Sequence, residues 1–279
     1  MKPKNELMDL QSKYSIWIAG LCVIFLIFSL LGGLVVGEFF LLVSGALMLW
    51  ALVTLQLEIY HRNQKQFDKI QRNYRYTEAL FSIFSTLKIN HPLPEMGNWA
   101  ITPDTAKIIL DIILREKPKL ILEAGSGLST IIAAYALQKL GEGKVISLEE
   151  KEQYAATTTQ NLKVHQLTDR ATVVYAALTE HQIGGKTWLW YDISNLKELG
   201  EIDLLIVDGP IQHGRPEKMI RYPALPILIK NLSKNAIIIM DDYHREDEKQ
   251  ILEAWSQEFE GWQIQKINSE YGTVIMRRQ

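Results

Sequence analysis

Residues 120–130, "LILEAGSGLST", decide the reading of this chain. A run of β-formers ends in an acidic residue, two glycines follow with one residue between them, and a hydroxyl-bearing segment opens a helix. Glycine carries no Cβ, so a strand-to-helix turn of this kind lets the backbone bend sharply and approach a ligand. Taken alone, the turn suits nicotinamide dinucleotides, nucleotides and adenosyl ligands alike.

The surrounding sequence alternates strands and helices. Thr102, Pro103 and Asp104 form an N-cap, a proline at the first helical position and a first-turn acid, and the isoleucines at 108, 109, 112 and 113 follow at helical spacing. This helix ends by Lys117 and Pro118. A strand over 119–123 and a helix over 129–140 come next, then "KVISLEE" as a second strand ending in Glu149 and Glu150, and a helix over 151–162. "ATVVYAAL", "IDLLIVDGP" and "NAIIIMDDYHR" read as a third, fourth and fifth strand, the last two continuously apolar as strands covered on both faces are. A helix over 246–259 precedes "WQIQKINSEYGTVIMRR", which reads as two strands turning at Tyr271 and Gly272. The pattern predicts an α/β fold with a doubly wound, mostly parallel, seven-stranded sheet. The terminal strand pair, with no helix between its members, is foreign to a plain dinucleotide-binding fold.

Ligands of such sheets sit beyond the carboxyl ends of the strands. Here those ends carry Glu123, Glu149, Ala177, Asp208 and the pair Asp241 and Asp242. Gly125 and Gly127 supply the turn, and Glu149, 24 positions after Gly125, is placed to accept both hydroxyls of a ribose. A dinucleotide fingerprint requires glycine at 130, where this chain has Thr130 after Ser129. Close packing of a pyrophosphate is less natural there, whereas an adenosyl ligand without one is accommodated.

"LILEAGSGLST", "VISLEE", "LLIVDGP", "RYPALP" and "IIIMDDYHR", in this order and spacing, resemble the class I S-adenosylmethionine-dependent methyltransferases, and most of all the bacterial branch grouped as methyltransferase family 24. The resemblance covers about 92–278 and implies a Rossmann-like methyltransferase fold. It further implies that Glu123, Gly125 and Gly127, with Ser129 and Thr130 at the helix start, hold the methionine end of S-adenosylmethionine. Glu149 then holds the ribose, and Asp208 lies beside the transferred methyl group. Ser129 departs from the pattern, which commonly has a third glycine in that place.

A hydroxyl acceptor needs a base or a metal to give up its proton near neutrality. Asp208, Asp241 and Asp242 resemble the three-ligand site of metal-dependent catechol-type O-methyltransferases, with Asp242 where an amide is usual, and oxygen ligands of this kind suit magnesium. His213 and His244 are candidate bases beside Asp208 and Asp241. The bland readings are an Asp that caps the next turn and histidines that lie in solvated loops. "TWLWYD" reads as an inserted hairpin packed on the sheet or, through Trp188, Trp190 and Tyr191, as the floor of a substrate pocket, Trp99 as a cover for the cofactor or a plain lid contact, and Arg215, Lys218 and Arg221 as an anion site or a solvated helix start.

The N-terminal third is a different material. Residues 14–37 contain no charged side chain, and after Glu38 a second uncharged run continues to Leu57. Each is long enough to cross a hydrocarbon core of ~30 Å as a helix. Two consecutive long runs do not fit a signal peptide. Lys2, Lys4 and Lys13 precede the first run, and Arg62, Lys65, Lys69, Arg72 and Arg75 follow the second, which places both ends on the cytoplasmic side. The organisation expected is a cytoplasmic tail over 1–13, a two-helix transmembrane hairpin over 14–57, an amphipathic linker helix over 58–91 and a methyltransferase domain over 92–279. Phe67, Ile70, Tyr74, Phe81, Phe84 and Leu87 give the linker its stripe, read as a face packed on the domain, a lipid-binding face or a homodimer stalk.

The remaining composition narrows little. The 279 residues carry a formal charge of −2, without the basic excess that a nucleic-acid partner requires, and the single cysteine, Cys22, forms no disulfide framework. The sequence thus predicts a methyltransferase integral to a bacterial inner membrane, acting on the cytoplasmic face on a small-molecule, glycan or lipid-linked acceptor. An NAD-dependent oxidoreductase and a non-catalytic anchored module are its rivals.

Overall fold

The computed structural model describes residues 20, 23–34, 37–97, 99–194, 196, 199–211, 214 and 216–278; the tail over 1–13, Cys22 and His213 lie outside them. The chain divides into two compact units, Met1–Gln71 and Arg72–Gln279.

In the first unit a short apolar helix α1 (Val23–Leu34) is followed by the start of a long helix α2 (Glu38–Thr86). Between them Gly37 adopts φ 86°, a left-handed conformation that glycine reaches without a Cβ penalty, and its N–H donates to the Gly33 carbonyl. The turn falls where the charge pattern puts it. Among the described residues one helix, Phe39–Thr86, is long and apolar enough to cross a membrane, while the described part of the first run is shorter. The apolar side chains of α2 are not a core: Phe39 is 76% exposed and Trp50 68%.

The expected linker is not a separate element. Residues 58–86 contain neither glycine nor proline, so α2 continues unbroken from the apolar run and stops at Thr86, ahead of Pro92. Of the expected stripe, Leu87 alone is buried. Ala79, Ile83 and Leu87, four apart, are buried, whereas Phe67, Ile70, Tyr74, Phe81 and Phe84 are exposed.

The second unit is built on a seven-stranded sheet in the order β3-β2-β1-β6-β7-β9-β8. The strands are β1 (Leu120–Ala124), β2 (Lys144–Glu149), β3 (Ala171–Tyr175), β6 (Ile202–Val207), β7 (Leu232–Met240), β8 (Trp262–Ile267) and β9 (Thr273–Arg278). β9 runs antiparallel to both β7 and β8, and the other pairings are parallel. The helices are α3 (Pro103–Glu116), α4 (Leu128–Leu140), α5 (Glu152–Val164), the short α6 (Ala224–Leu228) and α7 (Glu246–Glu258). Strand residues alternate between two cores. Ile121, Val145, Leu204 and Ile239 meet α3, α4 and α5 on one face, while Leu122, Leu148, Leu205 and Met240 meet α6 and α7 on the other. Both faces are therefore dry, which explains the continuously apolar strands.

The third strand is shorter than the sequence implies. β3 stops at Tyr175, and β4 (Leu178–Ile183) pairs with β5 (Lys186–Tyr191) as a separate antiparallel hairpin. "TWLWY" thus belongs to an inserted hairpin, as expected. Its buried Trp190 and Tyr191 join the α7 side of the core, and Trp188 stacks on Tyr222 at 4.4 Å between ring centroids.

Candidate active site

After β3 the chain crosses to the far side of β1 to form β6, so the order reverses between β1 and β6. A crevice opens at the carboxyl ends of strands at such a switch point. Here it is a cleft of about 510 Å³ lined by Gly125, Gly127, Glu149, Tyr191, Asp208 and Arg221 among others.

Glycine is needed where two loops touch. Gly125 has φ 101°, and a Cβ on it would lie 3.1 Å from the Gly209 nitrogen; a Cβ on Gly209 would meet the Tyr191 hydroxyl. The contact is held by the N–H groups of Asp208 and Gly209, both donating to the Ala124 carbonyl. Asp208 therefore comes directly against the glycine turn. A Cβ on Gly127, in contrast, would meet nothing within 4 Å.

Glu123 and Thr130 do not line the cleft; they brace the turn from beneath. Glu123 is fully buried, and its Oε2 accepts from the Thr130 hydroxyl at 2.5 Å and the Ser147 hydroxyl at 2.7 Å. Thr130 Oγ1 in turn accepts the Gly127 N–H at 3.1 Å, capping the start of α4. The threonine that breaks the dinucleotide fingerprint thus satisfies a helix N–H that a glycine could not. Burial pushes the Glu123 carboxyl up to about 7, against the opposing hydrogen bonds of Ser129, Thr130 and Ser147. Its Oε1 is buried with no hydrogen-bond partner. Ser129 lines the cleft.

Glu149 is held at the cleft wall. Its Oε2 accepts from the Ser126 N–H and hydroxyl at 3.2 and 2.9 Å, and its Oε1 accepts the Lys151 N–H at 3.1 Å. Ser126 was not among the sequence candidates, although it stands between the two glycines. Tyr191, which the sequence offered as part of a pocket floor, is buried against the cleft; burial, then Glu149 and Glu150, raises its pKa well above the ordinary phenol value and keeps it a donor. No strand-end rule reveals it, because it arrives on the inserted hairpin. Trp99 stands at the cleft wall, largely exposed.

At the other end lie the three aspartates, and here the metal expectation needs correction. Asp208, Asp241 and Asp242 converge on Arg221, which is buried rather than solvated. Its Nη2 donates to Asp208 Oδ1 at 3.4 Å and Asp242 Oδ2 at 2.9 Å, and its Nη1 to the Asp241 carbonyl at 3.3 Å. Asp241 Oδ1 instead accepts from the hydroxyls of Thr105 and Thr273 at 3.4 and 3.3 Å. Burial, then Asp208 and Asp242, pushes its carboxyl up to about 8. Among the described residues no group of three potential ligands is arranged to hold a metal ion. The site does not fit magnesium, because a guanidinium occupies the centre of the carboxylates.

His244, the other candidate base, stands apart from the cleft lining. The N–H groups of Tyr243 and His244 donate to the carbonyls of Gly272 and Tyr271, pairing the segment with the β8–β9 turn. The His244 ring packs against Gly272, where an added Cβ would lie 2.7 Å from it, and it does not line the cleft. His213 lies outside the described residues.

Residues 122–243 match the family described as "Methyltransferase domain". No curated protein matches the chain. Among solved structures, a methyltransferase of Podospora anserina with bound S-adenosylhomocysteine is 17% identical with a TM-score of 0.54, over 78% of this chain and 97% of that one. An O-methyltransferase of Bacillus cereus, also with S-adenosylhomocysteine, is 18% identical with a TM-score of 0.51, over 74% and 91%. An O-methyltransferase of Streptomyces achromogenes involved in tomaymycin synthesis, with S-adenosylmethionine, is 14% identical with a TM-score of 0.50, over 75% and 98%. At these identities the likeness is one of fold. The cleft itself suits a cationic cofactor: it is acid-lined, open at Gly127, and backed by an unpartnered carboxylate oxygen on Glu123. The matched domain, the fold and the cleft agree on one class of enzyme, an S-adenosylmethionine-dependent methyltransferase.

Proposed function

We propose that the enzyme is anchored in a membrane through residues 14–57 and methylates an oxygen of a small-molecule, glycan or lipid-linked acceptor on the cytoplasmic face. The observation that carries the chemistry is the place of Asp208. It follows β6 directly, touches the glycine turn through Ala124, and keeps a quarter of its side chain exposed in the cleft. That puts a carboxylate at the junction of the cofactor side and the open side. S-adenosylmethionine, when bound, supplies an electrophilic methyl group. Gly125, Gly127 and Ser129 are assigned to its methionine end and Glu149 to its ribose. Asp208 accepts the proton of the acceptor hydroxyl and later releases it to solvent through the cleft. Asp241, held by the hydroxyls of Thr105 and Thr273, is left to orient the site.

Support for the anchor is the exposure of apolar side chains along α2, which no core helix of a soluble protein shows on this scale. The flanking lysines and arginines support the cytoplasmic side. An acceptor held in or at the membrane gives the anchor a purpose, since tethering raises its effective concentration. Mass spectrometry of membrane extracts from cells with and without the intact protein tests the reading. A species heavier by one methyl group, present only with the protein, is the expected result. A methylated species found only in the soluble fraction would exclude the membrane acceptor.

A further inference from the structure

The carboxylates nominated for a divalent ion are already served by a cation of the chain itself. Arg221 is 4% exposed at its side chain, and its two terminal nitrogens reach Asp208, Asp242, the Asp241 carbonyl and Glu248 Oε1, the last at 3.4 Å. Half-exposed Arg245 adds a contact to Asp242 Oδ2 at 2.8 Å. The guanidinium fork thus spans three separate segments: the end of β6, the end of β7 and the start of α7. A divalent ion would need oxygen ligands at roughly 2.0–2.6 Å in the same space, and would face a buried positive charge there. Burial alone would lower the Arg221 pKa, but the surrounding carboxylates raise it above the ordinary guanidinium value.

We propose that Arg221 is a positioning residue that acts as the enzyme's resident cation, grouping Asp208 and Asp242 at the acceptor end of the cleft where a divalent metal would otherwise sit. Lysine cannot substitute, because one ammonium does not reproduce a planar fork with two donor ends. A purely structural role is the competing account: a buried ion pair that joins α7 to the sheet. The two accounts differ in what remains when the charge is removed. Among the described residues, Asp208, Asp242 and Glu248 without Arg221 are three carboxylates facing one half-exposed guanidinium, that of Arg245, a set with a net negative charge left to compensate. The inference rests on reading Asp208 as the acceptor's base, but its test needs no acceptor.

The full-length protein in detergent, saturated with S-adenosylhomocysteine, is titrated with Mn²⁺ at millimolar concentration, and free Mn²⁺ is followed by electron paramagnetic resonance. Wild type is expected to take up none. Arg221→Met is expected to gain one Mn²⁺ site, with a melting temperature that rises with Mn²⁺ and falls again with chelator. Adding Asp208→Asn to that variant should remove the site. Affinity for S-adenosylhomocysteine should stay within about threefold throughout, since Arg221 is assigned to the acceptor end. Mn²⁺ bound by wild type and lost in Asp242→Asn overturns the proposal. So does an Arg221→Met protein that binds S-adenosylhomocysteine normally but takes up no Mn²⁺. If Arg221→Met fails to fold, the wild-type titration decides alone. Loss of S-adenosylhomocysteine binding by wild type would be a different result and would strike the cofactor assignment instead.

Discussion

The two ends of the cleft hold carboxylates by different means. At the glycine turn, Glu123 and Glu149 are held by neutral donors: the hydroxyls of Thr130, Ser147 and Ser126 and the N–H groups of Ser126 and Lys151. At the far end, Asp208 and Asp242 are held by the charges of Arg221 and Arg245. Neutral donors fix a carboxylate's position and bring no opposing charge, which at Glu149 on the cleft wall suits a cationic cofactor. A guanidinium offsets the acids' negative field and keeps them grouped. One fold thus builds an acidic end and a compensated end within the same cleft.

The difference can be broken at each end. Replacing Asp208 by alanine should reduce methyl transfer from labelled S-adenosylmethionine into membrane extracts by about a thousandfold or more, while affinity for S-adenosylhomocysteine stays within a few fold. Unchanged labelling would remove Asp208 from the reaction. Glu149→Ala should do the reverse, weakening S-adenosylhomocysteine by roughly ten- to a hundredfold in calorimetric titration, the range for hydrogen bonds to a charged group. An unaltered affinity would free Glu149 from the ribose assignment.

Glu123 sharpens the comparison through pH. Its carboxyl is raised to about 7 in the fold by burial, so the folded protein favours the protonated form. A raised folded pKa on an acid means that stability is full below the unfolded carboxyl value, 4.5, and is lost as pH rises toward about 7. The ligand-free protein should therefore melt lower at pH 8 than at pH 5 by roughly a few degrees, and Glu123→Gln should reduce that slope, leaving the part due to Asp241, which is raised to about 8. A slope unchanged in Glu123→Gln would place the titration elsewhere. The smallest effect is expected at Ser126, which gives Glu149 a hydroxyl donor at 2.9 Å. Ser126→Ala should cost about fivefold in S-adenosylhomocysteine affinity, near the worth of one hydrogen bond.

Much of the fold was legible in the sequence, because period and punctuation are local. The proline at 103, the glycine turn, the apolar strands and the unhelical closing pair all fell where the pattern put them. The linker stripe did not reveal which face meets the domain, since Phe67 to Phe84 keep helical spacing either way; they are exposed, and the buried face is Ala79, Ile83 and Leu87. The candidate site was legible as a set of strand ends and illegible as a set of contacts. Glu149 ends β2 on the cleft wall, whereas Glu123 is followed in β1 by Ala124 and lies beneath the turn. Asp208, Asp241 and Asp242 share a motif with metal ligands, and only the arrival of Arg221 from a distant segment distinguishes them.

By itself, then, the sequence determined the element order, the glycine turn and the list of acids at the strand ends. Each depends on the chain within a few residues, where spacing and backbone sterics suffice. The tertiary structure decided what balances those acids. Arg221 is 13 residues from Asp208 and 21 from Asp242 in the chain, and only the fold brings its guanidinium between them. Charge compensation acts through space, so a list of carboxylates cannot say whether a metal, a proton or an arginine holds them together.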